Sequence, residues 1–214
     1  MYALVFANGE LEPPPDLDAL LAAAGMLIAA DGGAQHLAAL GKPPDVLIGD
    51  LDSLSPGEAE TLQAAGVQLI LHPAAKDQTD LELALLHAAG AGAERIEVLG
   101  GLGRRWDHSL ANLLLPALPQ LAACAIRFLH GTQTLFLIHT RVELELAAGT
   151  RLSLLPVGGD AAGVRTRGLL YPLKGETLTF GSSRGVSNVV EEPLVTIEIA
   201  SGTLICVLDD KEQT

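Results

Sequence analysis

The chain has 214 residues, a length that fits one large domain or two small ones. Hydrophobic residues make up 49% of it and charged residues 18%, which excludes an intrinsically disordered chain. The formal net charge is −13, so the protein has no general attraction to nucleic acid or to an anionic membrane. A phosphate-bearing substrate must therefore arrive with metal ions or meet a local cluster of Arg and Lys.

Cysteine content and the N-terminus indicate a cytoplasmic protein. Cys124 and Cys206 are too few for a disulfide framework and lie in apolar runs, so we expect two buried, reduced thiols. The opening MYALVFANGE lacks the basic segment of a signal peptide. The longest apolar run, residues 19–30, is shorter than the roughly 20 residues that span a bilayer.

Residues 1–130 alternate between two patterns. Short apolar runs predict buried strands at residues 2–7, 26–30, 46–48, 67–71, 96–99 and 125–129. Stretches rich in Ala and Leu predict helices at residues 16–24, 34–40, 56–65, 80–89 and 109–114. Because strands alternate with helices, we expect a mostly parallel sheet covered on both faces. The prediction is a Rossmann-like α/β domain over residues 1–130.

The pattern changes after residue 130. Short strand-like runs are separated by turns that contain glycine, and no helix of useful length is predicted. The runs cover residues 134–138, 141–146, 151–155, 177–180, 194–199 and 203–208. This pattern is typical of an antiparallel sandwich or partial barrel, and we predict a β-sandwich domain over residues 131–214.

Acidic residues follow four successive strands of the predicted parallel sheet. They are Asp31, Asp50, Asp52, Asp77, Asp80 and Asp107. Ligands of open parallel sheets bind outside the carboxyl ends of the strands, so these carboxylates fall where a site is expected. At a single junction the alternative is a helix cap, and Thr79 with Glu82 matches a capping box. Four such junctions together favour a site.

The closely spaced pair Asp50 and Asp52 indicates a cation. Two carboxylates at one strand end repel each other unless a cation lies between them. Mg²⁺ binds a few carboxylates while phosphate and water complete its coordination. We therefore predict a Mg²⁺–phosphate site. Its candidate ligands are Asp31, Asp50, Asp52 and Asp80.

Basic residues near the same junctions suit a phosphate ligand. Lys76, Arg104 and Arg105 each lie within three residues of a junction aspartate. They fit the outer phosphate oxygens, with surface ion pairs to the adjacent aspartates as the alternative. His108 follows Asp107, which we expect to orient it.

Common nucleotide-binding and zinc-binding motifs are absent. Trp106 stands where a GxGxxG fingerprint has its third glycine, and no GxxxxGK[ST] loop occurs. No pair among the six histidines has the spacing of zinc ligands. We expect Trp106 to pack under the sheet edge, with stacking on a ligand ring as the alternative.

The ordered set of motifs resembles thiamine pyrophosphokinases, also called thiamine diphosphokinases. The motifs are ADGGA, GDLDS, KDQTD and GGLGRRWDH, with FANGEL, GLLYPLKGE and GVSN as further similar segments. The resemblance covers nearly the whole chain. It implies an α/β catalytic domain, a β-sandwich domain, and a homodimer with thiamine near the subunit interface. The implied reaction is Mg²⁺-dependent transfer of a pyrophosphoryl group from ATP to the thiamine hydroxyl, giving thiamine diphosphate and AMP.

The resemblance also implies roles for individual residues. The Mg²⁺-binding acids correspond to Asp31, Asp50, Asp52 and Asp80, and the stretch beside them to Lys76, Asp77 and Thr79. The family's R-x-D-H on the nucleotide side corresponds to Arg105, Asp107 and His108, and the SN pair near thiamine to Ser187 and Asn188. The expected catalytic group is Asp50, Asp52, Lys76, Asp77 and Asp80.

This sequence departs from the family pattern at two positions. Arg104 stands where Gly is frequent, and Trp106 stands where a smaller apolar residue is frequent. Both residues lie in the segment that the resemblance places beside the nucleotide, so the base preference is left open.

Two other functions stay open at this point. VLIGDLDS resembles the first motif of haloacid-dehalogenase-type phosphohydrolases, but it follows the third predicted strand rather than the first. The second alternative is a non-catalytic module that senses a nucleotide or thiamine. Of the three functions, the pyrophosphokinase accounts for the most motifs.

Overall fold

The computed structural model describes residues 1–52 and 55–210. The chain divides by its internal contacts into two units, Met1–Gly131 and Thr132–Thr214. All five α-helices found among the described residues lie in the first unit, and strands occur in both. The predicted α/β fold is confirmed.

The first unit contains all six strands and all five helices predicted for it. The strands are β1 (Tyr2–Phe6), β2 (Met26–Ala30), β3 (Val46–Gly49), β4 (Gln68–Leu71), β5 (Arg95–Leu99) and β6 (Ala125–His130). The helices are α1 (Leu17–Ala23), α2 (Gly33–Ala39), α3 (Pro56–Ala64), α4 (Asp80–Gly90) and α5 (Trp106–Leu114). The sheet order is β4-β3-β2-β1-β5-β6, and every neighbouring pair is parallel.

Burial explains why these segments form this sheet. Residues Ala3 to Phe6 of the central strand β1 are fully buried, as expected for a parallel strand covered on both faces. Helix α4 buries Leu81, Leu85 and Ala88, and this three- and four-residue spacing places them on the face that packs against the sheet.

The second unit is built from antiparallel strands. They are β7 (Gln133–Ile138), β8 (Arg141–Glu145), β9 (Arg151–Arg167), β10 (Lys174–Leu178), β11 (Asn188–Val189), β12 (Leu194–Glu198) and β13 (Ser201–Asp209). The first part of β9 pairs with β13 and β11, and its last part pairs with β10 and β12. β7 pairs with the other edge of β13, and β8 pairs with the other edge of β12.

The long strand β9 corrects the sequence prediction. The sequence predicts that this strand ends at residue 155, with a turn at VGGD. Instead β9 continues to Arg167, and its register with β13 shifts between Ser201 and Thr203. Gly158 and Gly159 have φ values of 72° and 148°, which permit an irregularity inside a continuous strand. The predicted run at residues 177–180 likewise corresponds to β10, which begins earlier, at Lys174.

Two further expectations concern the membrane and the thiols. No helix within residues 1–52 and 55–210 is long and apolar enough to cross a membrane. Cys206 is buried as predicted, whereas Cys124 is only half-buried and its Sγ donates to the carbonyl of Ala93 at 3.1 Å. Burial raises the pKa of the Cys124 thiol, which keeps it protonated near neutral pH.

A buried carboxylate connects β1 and β5 near their amino ends. Glu97 is 2% exposed, accepts a hydrogen bond from the Tyr2 hydroxyl at 2.7 Å and pairs with Arg95 Nη2 at 2.6 Å. The Arg95 guanidinium also lies over the Tyr2 ring, 4.7 Å from its centroid. Burial, followed by the hydrogen bond to Glu97, raises the pKa of Tyr2 well above its ordinary value of 10.0.

Tyr2→Phe removes this hydrogen bond and keeps the ring. We expect the free energy of unfolding near neutral pH to fall by about 1–2 kcal/mol, as measured by urea denaturation. A raised folded-state pKa contributes stability below pH 10 that is lost as the pH rises through the folded pKa. The variant should lack that loss, so an identical decline of stability above pH 10 in both proteins would contradict the assignment.

Candidate active site at the carboxyl ends of the parallel strands

A cavity of about 430 Å³ opens at the carboxyl ends of β1, β2 and β5. It is lined by residues 7–9 after β1, residues 30–31 after β2 and residues 79–81 at the start of α4. The loop after β5 and one face of α5 complete the lining. The cavity therefore lies where the parallel topology predicts a ligand site.

Glycines let the loops after β1 and β5 run side by side. The N–H of Ala7 donates to Leu99 O at 2.8 Å, and that of Gly9 donates to Gly100 O at 2.7 Å. A Cβ on Gly100 would lie 2.4 Å from Ala7 O, and Gly100 has a φ of 65°. Only glycine fits this close approach without a backbone shift.

Asp31 projects into the cavity from the end of β2. Its backbone N–H donates to Ile48 O at 2.7 Å, and its Oδ2 accepts from Asn8 Nδ2 at 3.4 Å. Its φ is 47°, a left-handed conformation that Asp tolerates better than most residues. The backbone of β3 therefore fixes the direction of this carboxylate.

Asp80 lines the same cavity as the first residue of α4. Thr79 is the N-cap, and its Oγ1 accepts from the N–H of Glu82 at 3.1 Å, as the predicted cap requires. Asp80 Oδ1 lies 2.9 Å from Lys76 Nζ in an ion pair. Within the described part of the protein this buried oxygen has the Lys76 ammonium group as its ion-pair partner and accepts no hydrogen bond. It is a carboxylate oxygen with capacity for a further cation.

Arg105 and His108 line the cavity at the start of α5, and Asp107 does not. Arg105 Nε and Nη2 donate to the two Asp107 carboxylate oxygens at 3.1 and 2.5 Å. This hydrogen-bonded pair lowers the pKa of Asp107 to about 2 although both side chains are exposed. The Asp107 carboxylate thus binds the Arg105 guanidinium, and its hydrogen bond with His108 is to the backbone N–H of that residue. The expectation that Asp107 orients the His108 ring stays a prediction.

Other predicted residues do not line the cavity. Asp50 and Asp52 follow β3, where the N–H of Asp52 donates to Asp50 Oδ1 at 3.4 Å, and Asp77 is exposed before α4. No group of three or more His, Cys, Asp or Glu within the described ranges could hold a metal ion. Ser53, the last residue of GDLDS, lies outside those ranges. The four-aspartate Mg²⁺ site stays a prediction, of which the structure brings Asp31 and Asp80 to one cavity.

Helix α5 differs from its prediction. It begins at Trp106, three residues earlier than expected, and Arg105 precedes it with an extended backbone and no side-chain capping hydrogen bond. Trp106 is 80% exposed, so the expected packing under the sheet edge is wrong. The buried side chains of α5 are polar, and Asn112 donates to Gly101 O at 2.7 Å.

Two asparagines in the lining were missed by sequence reasoning. Asn8 lies two residues after the end of β1, much as Asp31 lies one residue after the end of β2. Asn112 lies four residues after His108 on the same helix face. The first could have been found from its place after a strand. The second required the correct start of α5.

The second unit has a cavity of about 280 Å³ beside the predicted SN pair. Asn188 lines it, and its amide donates to Tyr171 O at 2.8 Å and accepts from Tyr171 N–H at 3.1 Å. Ser187 does not line the cavity. Its φ is 61°, and its N–H donates to Ser153 Oγ at 3.0 Å. Asn188 thus holds the Tyr171 turn in place at the cavity wall.

Comparison with known families agrees with the ordered motifs. A family model described as "Thiamin pyrophosphokinase, catalytic domain" matches residues 17–127, slightly more than half of the chain. The chain belongs to the thiamine pyrophosphokinase family. A second model, "Thiamin pyrophosphokinase, vitamin B1 binding domain", matches residues 138–204. The predictions of this family and of an enzyme are confirmed.

Individual members of the family are similar to this chain over most of its length. Thiamine pyrophosphokinase of Bacillus subtilis is 29% identical over 95% of this chain and 96% of its own. Thiamine pyrophosphokinase 1 of Oryza sativa subsp. japonica is 28% identical over 92% of this chain and 83% of its own.

Solved thiamine pyrophosphokinase structures share the fold over almost the full chain. The crystal structure from Bacillus subtilis has a TM-score of 0.85 and 25% identity, covering 99% of this chain and 100% of that one. The structure from Geobacillus thermodenitrificans has a TM-score of 0.83 and 26% identity, covering 100% and 99%.

The Arg105–Asp107 pair gives a prediction about charge. Arg105→Ala should raise the pKa of Asp107 from about 2 toward its ordinary 3.8, because the hydrogen-bonded guanidinium is its main cause of depression. The pKa can be measured by NMR titration of the carboxyl carbon. Arg104→Ala is the matched control, since it removes the same charge one residue away. An equal rise in both variants would show a general charge effect rather than this pair.

Proposed function

We propose that this member of the family transfers a pyrophosphoryl group from ATP to the hydroxyl of thiamine, giving thiamine diphosphate and AMP. The observation that carries the proposal is a single cavity at the carboxyl ends of the strands that combines Asp31 and Asp80 with Arg105 and His108. Carboxylates suit the metal that accompanies a polyphosphate, and Arg suits its outer oxygens.

The donor set of the cavity fits Mg²⁺. Asp31 and Asp80 supply oxygen ligands, and the buried Asp80 Oδ1 accepts no hydrogen bond from the described residues. Mg²⁺ sites in phosphate-transfer enzymes use one or two carboxylates together with substrate phosphates and water. Asp50 and Asp52, at the end of the adjacent strand β3, are the proposed additional ligands. When bound, Mg²⁺ would neutralise phosphate charge and align the chain for in-line attack.

Cationic side chains of the chain have the complementary role. Lys76 pairs with Asp80, and its side chain is only 12% exposed, so its ammonium group is held beside the proposed phosphate position. Arg105 lines the cavity and is oriented by Asp107. We assign to Lys76 and Arg105 the stabilisation of negative charge on the transferred group and on the leaving AMP.

The residue that accepts the proton of the thiamine hydroxyl is proposed from its position relative to the cavity. Asp77 is exposed outside the cavity, whereas Asp80 lines it, so we assign proton acceptance to Asp80 rather than to Asp77. Thr79 caps α4 and so fixes the place of Asp80. Release of the proton to water remains compatible with this arrangement, since a carboxylate that binds a cation is a weak base.

The second unit is proposed to bind thiamine. We propose that it is a β-sandwich whose two sheets share β9, and the 280 Å³ cavity beside Asn188 supports a small-molecule site there. Ser187 and Asn188 are the proposed thiamine-side residues. A homodimer that places thiamine near its subunit interface is part of the same proposal.

The direct test is an assay of both products. Purified protein with thiamine, ATP and Mg²⁺ should form thiamine diphosphate and AMP in equal amounts, and excess EDTA should stop the reaction. Thermal stabilisation by the ligands without AMP would indicate a sensor. Release of phosphate from phosphomonoesters without ATP would indicate a phosphohydrolase. Either result would overturn the proposal.

The two neighbouring aspartates provide a matched pair of variants. Asp80→Asn should lower kcat/KM by about a hundredfold or more, because it removes a cavity carboxylate that is proposed to bind Mg²⁺. Asp77→Asn changes the same charge on an exposed residue and should lower it by less than about tenfold. Steady-state kinetics at varied Mg²⁺ would measure both. Equal losses would contradict the placement of Asp80, provided that both variants melt at the wild-type temperature.

A further inference from the structure

Trp106 is exposed at the start of α5, the helix that supplies one wall of the cavity of the first unit. It is the only tryptophan of the chain and, at 80% exposure, the most exposed large hydrophobic side chain of the described residues. Arg105, the residue before Trp106, and His108, two residues after it, both line the cavity, whereas Trp106 itself does not. An apolar ring of this size is thus exposed to water on the first turn of the helix that borders the proposed nucleotide site.

The cavity itself offers little surface for a nucleobase. Its lining is formed mainly by glycine, alanine and polar side chains, and Leu81 is the one large aliphatic residue among the lining residues. Nucleobases bind by stacking on aromatic or other flat apolar groups, which supply most of the sequence-tolerant affinity. The lining suits a polyphosphate better than a base.

No other Phe, Tyr or Trp ring of the first unit is in a position to serve. Phe6 and Phe128 are at most 1% exposed. Tyr2 lies at the opposite, amino end of β1 and is held by Glu97 and Arg95. Of the Phe, Tyr and Trp residues within Met1–Gly131, Trp106 is the one with an exposed ring at the carboxyl edge of the sheet.

We propose that the indole of Trp106 stacks on the nucleobase of the bound nucleotide. The inference rests on the proposed function, which places the phosphates in the cavity near Asp31, Asp80 and Arg105. The base then extends out of the cavity past the first turn of α5. Stacking accepts every base, so Trp106 adds affinity for nucleotides in general and little discrimination between purines.

The exposed apolar stripe of α5 could instead bind a protein, and this alternative determines the control variant. Trp106, Leu110 and Leu114 are all exposed and follow one another at four-residue spacing on α5. If the stripe bound a protein, Leu110 would matter as well as Trp106. Leu110 is 62% exposed and one turn further along the helix, which makes Leu110→Ala the matched control variant.

Fluorescence tests the proposal directly, because all tryptophan emission comes from one residue. With the full-length protein, saturating ATP or AMP with Mg²⁺ should quench the emission, and inorganic tripolyphosphate with Mg²⁺ should not. Absence of quenching at ATP concentrations that saturate turnover would overturn the proposal. A spectrum that shifts with protein concentration and ignores nucleotide would also overturn it, in favour of a contact between chains.

Variants give the second measurement. Trp106→Ala should raise the Kd for ATP by about 5- to 150-fold, the range expected for one base stacked on an aromatic ring, with the KM for thiamine unchanged. Trp106→Phe should retain most of the affinity, and Leu110→Ala all of it. An unchanged Kd in Trp106→Ala, or an equal rise in Leu110→Ala, would overturn the proposal. If wild-type protein shows ATP quenching but forms no thiamine diphosphate, the proposed function fails and the stacking stands.

Discussion

The parallel pairing of β1 with β2 and β5 is the constraint on which the candidate site depends. β1 is buried on both faces and pairs in register with both neighbours, so all three strands end at one edge. Backbone hydrogen bonds continue past the strands, from Ala7 to Leu99 and from Gly9 to Gly100. Loops that are far apart in sequence therefore open onto one cavity. The buried strands hold these loops, and so the distances between their polar side chains, in place.

Backbone strain and compensating charge are concentrated at the same edge. Asp31 and Arg104 both line the cavity with φ values of 47° and 56°, a conformation that costs about 1–2 kcal/mol for most residues. This φ explains why glycine is suited to the position of Arg104. The arginine adds a second cation beside Arg105 in a chain of net charge −13. The local cluster of cations that an acidic protein needs for a phosphate ligand is thereby present.

The sequence predicts a helix or strand well where the spacing of apolar residues follows one repeat. It predicts the candidate site less well, because the direction of each polar side chain depends on the exact ends of the elements. Buried strands and amphipathic helices such as α4 are visible as apolar spacing, and the parallel order makes the strand ends meet. The end of β9 is not visible, because Gly158 and Gly159 signal a turn and equally permit an irregular strand. Asp77 and Asp80 look equivalent in sequence. Only the cap at Thr79 makes Asp80 the first helical residue and directs it into the cavity.

In helix α5 the buried residues are polar and the large apolar residues Trp106, Leu110 and Leu114 are exposed, the opposite of the usual amphipathic helix. Its inner face carries Ser109 and Asn112, whose side chains bind the glycine-rich loop at Gly103 N–H and Gly101 O. These bonds satisfy backbone groups that the close approach of two loops leaves without a strand partner. The helix therefore gives its buried face to hydrogen bonding and its outer face to Trp106 and two leucines. Prediction from hydrophobicity expects the apolar residues of a helix on its buried face. Here the hydrogen bonds to the glycine-rich loop place polar residues on that face, and Trp106 is therefore on the exposed one.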